Sequence, residues 1–128
     1  MSMQNMNYIE SIIDILKEKT HLPLELLNII SNRRNSVVIK VKSEKLCYSL
    51  KLGFKDSGIS QVQHSALDVL SRESEILQNI SFLKENYYID SGLISEFSVF
   101  YLFTVWVDSA PFLKEIRFLK ENNFEIKN

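Results

Sequence analysis

At 128 residues the chain has the length of one domain, and fifteen Lys and Arg against sixteen Asp and Glu leave a formal charge of −1. That balance excludes the basic surface with which a general nucleic-acid binder holds phosphates. With 45% hydrophobic residues, three Gly and two Pro, the chain can bury a core and is not a low-complexity sequence.

The single Cys47 excludes an internal disulfide, and two separated histidines, His21 and His64, leave no Cys/His cluster for zinc. Glu10 and Asp14 interrupt the first apolar stretch, so it does not read as a signal peptide. The longest apolar run, Val99 to Val107, is broken by Thr104 and is too short to span a membrane. The expectation is one soluble, cytoplasmic domain over 1–128, with no nucleic acid and no membrane as partner.

Ile9, Ile12, Ile13 and Leu16 fall at i, i+3, i+4 and i+7, which predicts a helix closed before Pro23. Leu24 to Ile30 fits a helical turn or a buried strand, and the Ile29-Ile30 end favours strand. A polar turn over Ser31 to Asn35 follows. Val37, Ile39 and Val41 then alternate with Val38, Lys40 and Lys42, and Leu46, Tyr48, Leu50 and Leu52 alternate with Cys47, Ser49, Lys51 and Gly53. Reversed at Ser43-Glu44-Lys45, these two runs predict a hairpin.

Phe54 to Gln61 reads as a polar loop. Leu67, Leu70, Leu77, Ile80 and Leu83 return to helical spacing, on a helix that carries Arg72, Glu73 and Glu75. Two strand pieces, Tyr87 to Ile89 and Leu93-Ile94, flank a predicted turn at Asp90-Ser91-Gly92. Phe97 to Val107 is apolar on both faces, as an inner strand would be. Pro111 then starts a helix striped by Phe112, Leu113, Ile116 and Leu119. The fold class expected is α+β: a small antiparallel sheet of about five strands, one packed helix and terminal helices.

Two phases point to a site. Period two puts Cys47, Ser49 and Lys51 on one face of their strand, small residues with one long cation beyond them. Period 3.6 puts Glu73 beside the inward stripe of Leu70, Leu77 and Ile80, while Glu75 points away. Lys51 and Glu73 are therefore expected to form an ion pair. Read without a function, Lys51 is an edge lysine with its head in water and Glu73 an ordinary solvated residue.

With a lysine late in the third strand and a glutamate in the following helix, the chain resembles the amino-terminal lobe of the protein-kinase-like fold. The resemblance is to the branch of aminoglycoside and choline phosphotransferases and spans roughly 24–120. NSVVIKVKSEKLCYSLKLGF looks like its second and third strands, LSRESEILQNI like the helix bearing the acidic partner, YYIDSGLI like the approach to the fourth strand, and FYLFTVWVDSAPF like the fifth strand and hinge.

The resemblance implies nucleotide-binding roles for Lys51 on the α- and β-phosphates, Glu73 as its partner, and the Val105 to Val107 backbone facing an adenine, with Thr104 at the inner end of the strand. The strand phase adds Ser49, whose small side chain gives the low roof that a flat base needs. Arg33 and Arg34 would be weaker phosphate contacts. No glycine lies between Pro23 and Leu52, whereas a phosphate-covering loop needs glycines for close backbone approach. About 20 residues follow the hinge-like segment, so no catalytic or metal-binding Asp of a second lobe is expected, and no cofactor beyond a doubtful Mg-ATP.

The remaining polar residues read as structural. Asp90, Glu96 and Asp108 lack the spacing of an acid/base pair, Cys47 reads as a small core residue, His21 and His64 as helix-end residues, and Trp106 as a packing or contact aromatic. Three functions follow as expectations. The first is a non-catalytic, stand-alone lobe-like module that binds a partner protein or peptide, or a second copy through the hinge side near Val38, Val105 and Val107. The second is the nucleotide-binding half of a split or excised small-molecule phosphotransferase. The third is a chaperone or immunity-type protein that masks a partner.

Overall fold

The structure, a computed structural model, describes residues 3–33, 35–55 and 65–127, and side chains over 8–33, 35–55 and 65–122. In chain order the described elements are α1 (Met3–Thr20), β1 (Glu25–Arg33), β2 (Ser36–Ser43), β3 (Leu46–Phe54), α2 (Ala66–Asn79), α3 (Ser81–Asn86), β4 (Tyr88–Ile94), a 3-10 turn (Ser95–Phe97), β5 (Val99–Val105) and α4 (Ala110–Lys127). The strands form one antiparallel sheet in the order β1-β2-β3-β5-β4. The α+β class and the five strands are as the patterning predicts.

Alternation assigns the two faces. Val37, Ile39, Val41, Tyr48, Leu50 and Leu52 point to one side, where α1 lays Ile9, Ile12, Ile13 and Leu16 on them. All ten are buried. Burial on this scale contributes about 1.5–3 kcal/mol per fully covered side chain, which makes the α1 face the main core. The opposite face carries Ser49, Lys51 and Gly53 of β3 and Leu102 of β5. Leu102 joins Leu70, Leu77, Leu83, Tyr87 and Ile116 in a second cluster beneath α2, α3 and α4.

α1 closes earlier than Pro23 requires, with His21 in a left-handed conformation (φ 60°) and its N–H donating to the Lys17 carbonyl. Leu24 to Ile30 lies mostly within a strand that runs on to Arg33. The turn expected over Ser31 to Asn35 is correspondingly shorter, because Ser31, Asn32 and Arg33 pair with Val38, Val37 and Ser36. Arg34 lies outside the described residues, as do His64 and most of the expected Phe54 to Gln61 loop. Ser43 and Leu46 close the β2–β3 hairpin around Glu44, whose φ is 55°.

Two expectations are corrected. The helix through Leu67 to Leu83 breaks at Ile80, which takes extended dihedrals (φ −104°, ψ 109°) and splits it into α2 and α3. Neither Gly nor Pro marks the break; the bend brings Leu83 and Tyr87 into the cluster around Leu77. Asp90-Ser91-Gly92 is likewise not a turn. The segment stays extended as part of β4, with Asp90, Ser91 and Gly92 opposite Phe103, Leu102 and Tyr101. Cross-strand pairing overrides the local turn preference of these residues.

Candidate functional site

β3 is an inner strand, flanked by β2 and β5, so its dihedrals and the direction of Lys51 are set by pairing on both sides. α2 is anchored at its start by the Ser65 side chain, which accepts from the Asp68 N–H. It is drawn against β3 by Gly53: a Cβ there would lie 2.5 Å from the Ala66 carbonyl oxygen. Only glycine permits this approach of helix to strand.

These two placements bring together the residues that helix and strand phase select. Lys51 Nζ lies 3.1 Å from Glu73 Oε2, as expected. A third group is there too: Lys120 of α4 donates to the same oxygen at 3.1 Å. The three side chains are 27%, 14% and 21% exposed for Lys51, Glu73 and Lys120.

Burial pulls the Lys51 ammonium toward its neutral form, yet the facing Glu73 carboxylate together with Tyr87 outweighs it and holds the pKa above its ordinary value. Burial also pushes Glu73 upward, and the two ammonium groups reverse this and hold it below its ordinary value. Both groups are charged at neutral pH, and the cluster carries one excess positive charge.

Beside the pair, a cavity of about 330 Å³ lies between β2, β3 and α2, lined among others by Ser36, Val38, Lys51, Gly53, Val69 and Glu73. Its volume is at the lower end of the range of small-molecule sites. Arg33, exposed at the hairpin end, is the register partner of Ser36.

Other positions singled out in the sequence lie elsewhere. Ser49 is buried opposite Thr104 in the β3–β5 register. Val105 pairs with Tyr48, and its N–H donates to the Tyr87 carbonyl; the Trp106 N–H donates to the Cys47 carbonyl. Two of the three hinge amides are thus engaged within the chain. Val107 packs against the cluster of Leu70, Leu77, Leu83, Tyr87, Leu102 and Ile116, as do Phe112 and Leu119 of α4.

Trp106 lies under Lys40, whose ammonium is 4.5 Å from the ring centroid, and its Nε1–H donates to Asp108 at 2.7 Å. Asp90 has a structural role beyond the surface one expected of it: it accepts from the Tyr101 hydroxyl at 2.6 Å, and that hydroxyl accepts from Lys19 of α1. Burial, then the Asp90 hydrogen bond, drives the Tyr101 pKa far upward. On the α2 side, Ser74 and Ser91 share a hydrogen bond that Tyr88 and Gln78 extend.

Sequence reasoning missed Lys120. The available signal was its place one turn beyond Ile116 and next to Leu119, at the flank of the apolar stripe of α4. It also missed that the Thr104 hydroxyl is buried with no hydrogen-bond partner among the described residues. No group of three or more potential metal ligands is found among the described residues. No helix described is long and apolar enough to cross a membrane. Comparison with protein-family models, curated proteins and solved structures returned no match.

Proposed function

We propose that this chain is a cytoplasmic binding module built like the amino-terminal lobe of the protein-kinase-like fold, which holds a partner protein or peptide and does not itself transfer phosphoryl groups. The observation that carries the reading is the Glu73 carboxylate shared by Lys51 and Lys120 at 3.1 Å each. The carboxylate that the resemblance makes the partner of the nucleotide-binding lysine also receives Lys120, and so ties α4 to the site. Two engaged hinge amides and the absence of glycine from Pro23 to Leu52 support the same reading. For the partner, the exposed Leu27 and Ile30 of edge strand β1 offer apolar side chains beside an open row of backbone groups.

The cavity beside Lys51 favours a second reading, the nucleotide-binding half of a phosphotransferase. Calorimetric titration with Mg-ATP separates the two. The binding module shows no saturable binding at or below about 10 μM, equivalent to about −7 kcal/mol, and a photo-crosslinker at Leu27 in cells captures one protein reproducibly while one at Lys114 does not. Tight ATP binding abolished by Lys51→Ala would replace the first reading with the second.

A further inference from the structure

We propose that α4 is a strap that opens as a unit from the α2 side of the sheet, latched by Lys120 on Glu73, while the sheet, α1 and α2 stay folded. This holds whichever reading of function is right.

The strap is thinly held. Over the described side chains of α4, Ile116 is 3% exposed and is the one buried residue, Phe112 and Leu119 are half-buried against the same cluster, and Leu113 and Phe118 are 43% and 64% exposed. The other terminal helix, α1, buries Ile9, Ile12, Ile13 and Leu16. Over its described side chains α4 buries far less than α1, and a segment held by so few buried contacts opens at lower cost than the global unfolding of the domain.

The latch is built to release. Glu73 keeps Lys51 when Lys120 leaves, so opening strands no carboxylate, and Lys120 regains full hydration. Two ammonium groups on one oxygen repel each other, and since Lys51 is fixed on inner strand β3, between β2 and β5, the one that can depart is Lys120. The segment from Val107 to Ser109 is irregular, between the anchored Trp106 amide and the first turn of α4, and it can act as the hinge. Opening uncovers Leu102 and the Leu70, Leu77 and Leu83 side of the cluster. Access to this face is then governed by α4.

Hydrogen exchange of the full chain, read by mass spectrometry at pH 7, tests this. Amides over 114–120 should exchange at a uniform rate, at least about tenfold faster than those of β3 and α2. Lys120→Ala should speed that segment several-fold further and leave β3 and α2 within about twofold. Should that variant fail to fold, Lys120→Met, which keeps the apolar stem and removes the charge, deletes the same latch and should act on the same segment alone. Protection of α4 equal to that of α2, a rate graded from the end of the helix as in fraying, or a latch change felt equally everywhere would each overturn the proposal.

Discussion

Lys51 and Glu73, 22 positions apart in the chain, meet at 3.1 Å across the gap between β3 and α2, and the geometry leaves room on the same oxygen for Lys120. The three residues are unequal in consequence. Removing either lysine leaves the carboxylate one partner, whereas removing the carboxylate leaves two ammonium groups facing each other.

Lys51→Ala is therefore expected to cost about 1 kcal/mol or less, in the range of partly exposed pairs, and to leave the fold intact. Glu73→Ala should cost about 2–3 kcal/mol, because it leaves uncompensated charge in a partly buried site. Urea denaturation at pH 7 measures both. A Lys51→Ala loss equal to or greater than the Glu73→Ala loss would show that the carboxylate is not the centre of the cluster.

The same cluster sets a pH dependence. The folded pKa of Glu73 lies below its ordinary 4.5, so its contribution is complete above that value and is lost as pH falls through the folded pKa. Lys51 is raised above 10.5, so its contribution is complete below that value and is lost as pH rises through the folded pKa. The stability difference between wild type and Glu73→Gln should thus be flat through the neutral range and shrink in acid. A difference that grows on acidification to about pH 3 would contradict the assigned direction.

Gly53→Ala places a methyl against the Ala66 backbone, with the carbonyl carbon at 2.8 Å. Backbone cannot rotate aside as a side chain would, so α2 must shift, at a cost of about 1–3 kcal/mol. At Gly92 the nearest atom to a Cβ is Tyr101 Cε1 at 3.4 Å, and Gly92→Ala should cost clearly less. Thermal denaturation of the two variants side by side checks the order, and equal losses would mean that the helix approach at Gly53 is not tight.

Thr104→Val exchanges a buried hydroxyl without a partner for a methyl of the same shape. Removing an unpaired polar group relieves its desolvation penalty, so the variant should be neutral or more stable by up to about 1 kcal/mol. Thr104→Ala, which leaves a void, should destabilise. A loss on Thr104→Val as large as on Thr104→Ala would reveal a hydrogen bond to the hydroxyl in solution.

What the sequence determined by itself is what local geometry dictates. Period two in β2 and β3 set which residues face α1 and which face α2, and period 3.6 in α2 chose Glu73 over Glu75, because both periods follow from backbone dihedrals that a short window of residues already expresses. The tertiary structure decided the rest. Asp90-Ser91-Gly92 became strand because β5 supplies a hydrogen-bonded partner along its length, and the helix broke at Ile80 because Leu83 and Tyr87 belong in the cluster around Leu77. Lys120 reached Glu73 from 47 positions away. Such contacts depend on where whole elements dock, and no local period encodes the distance between two elements that the chain brings together only on folding.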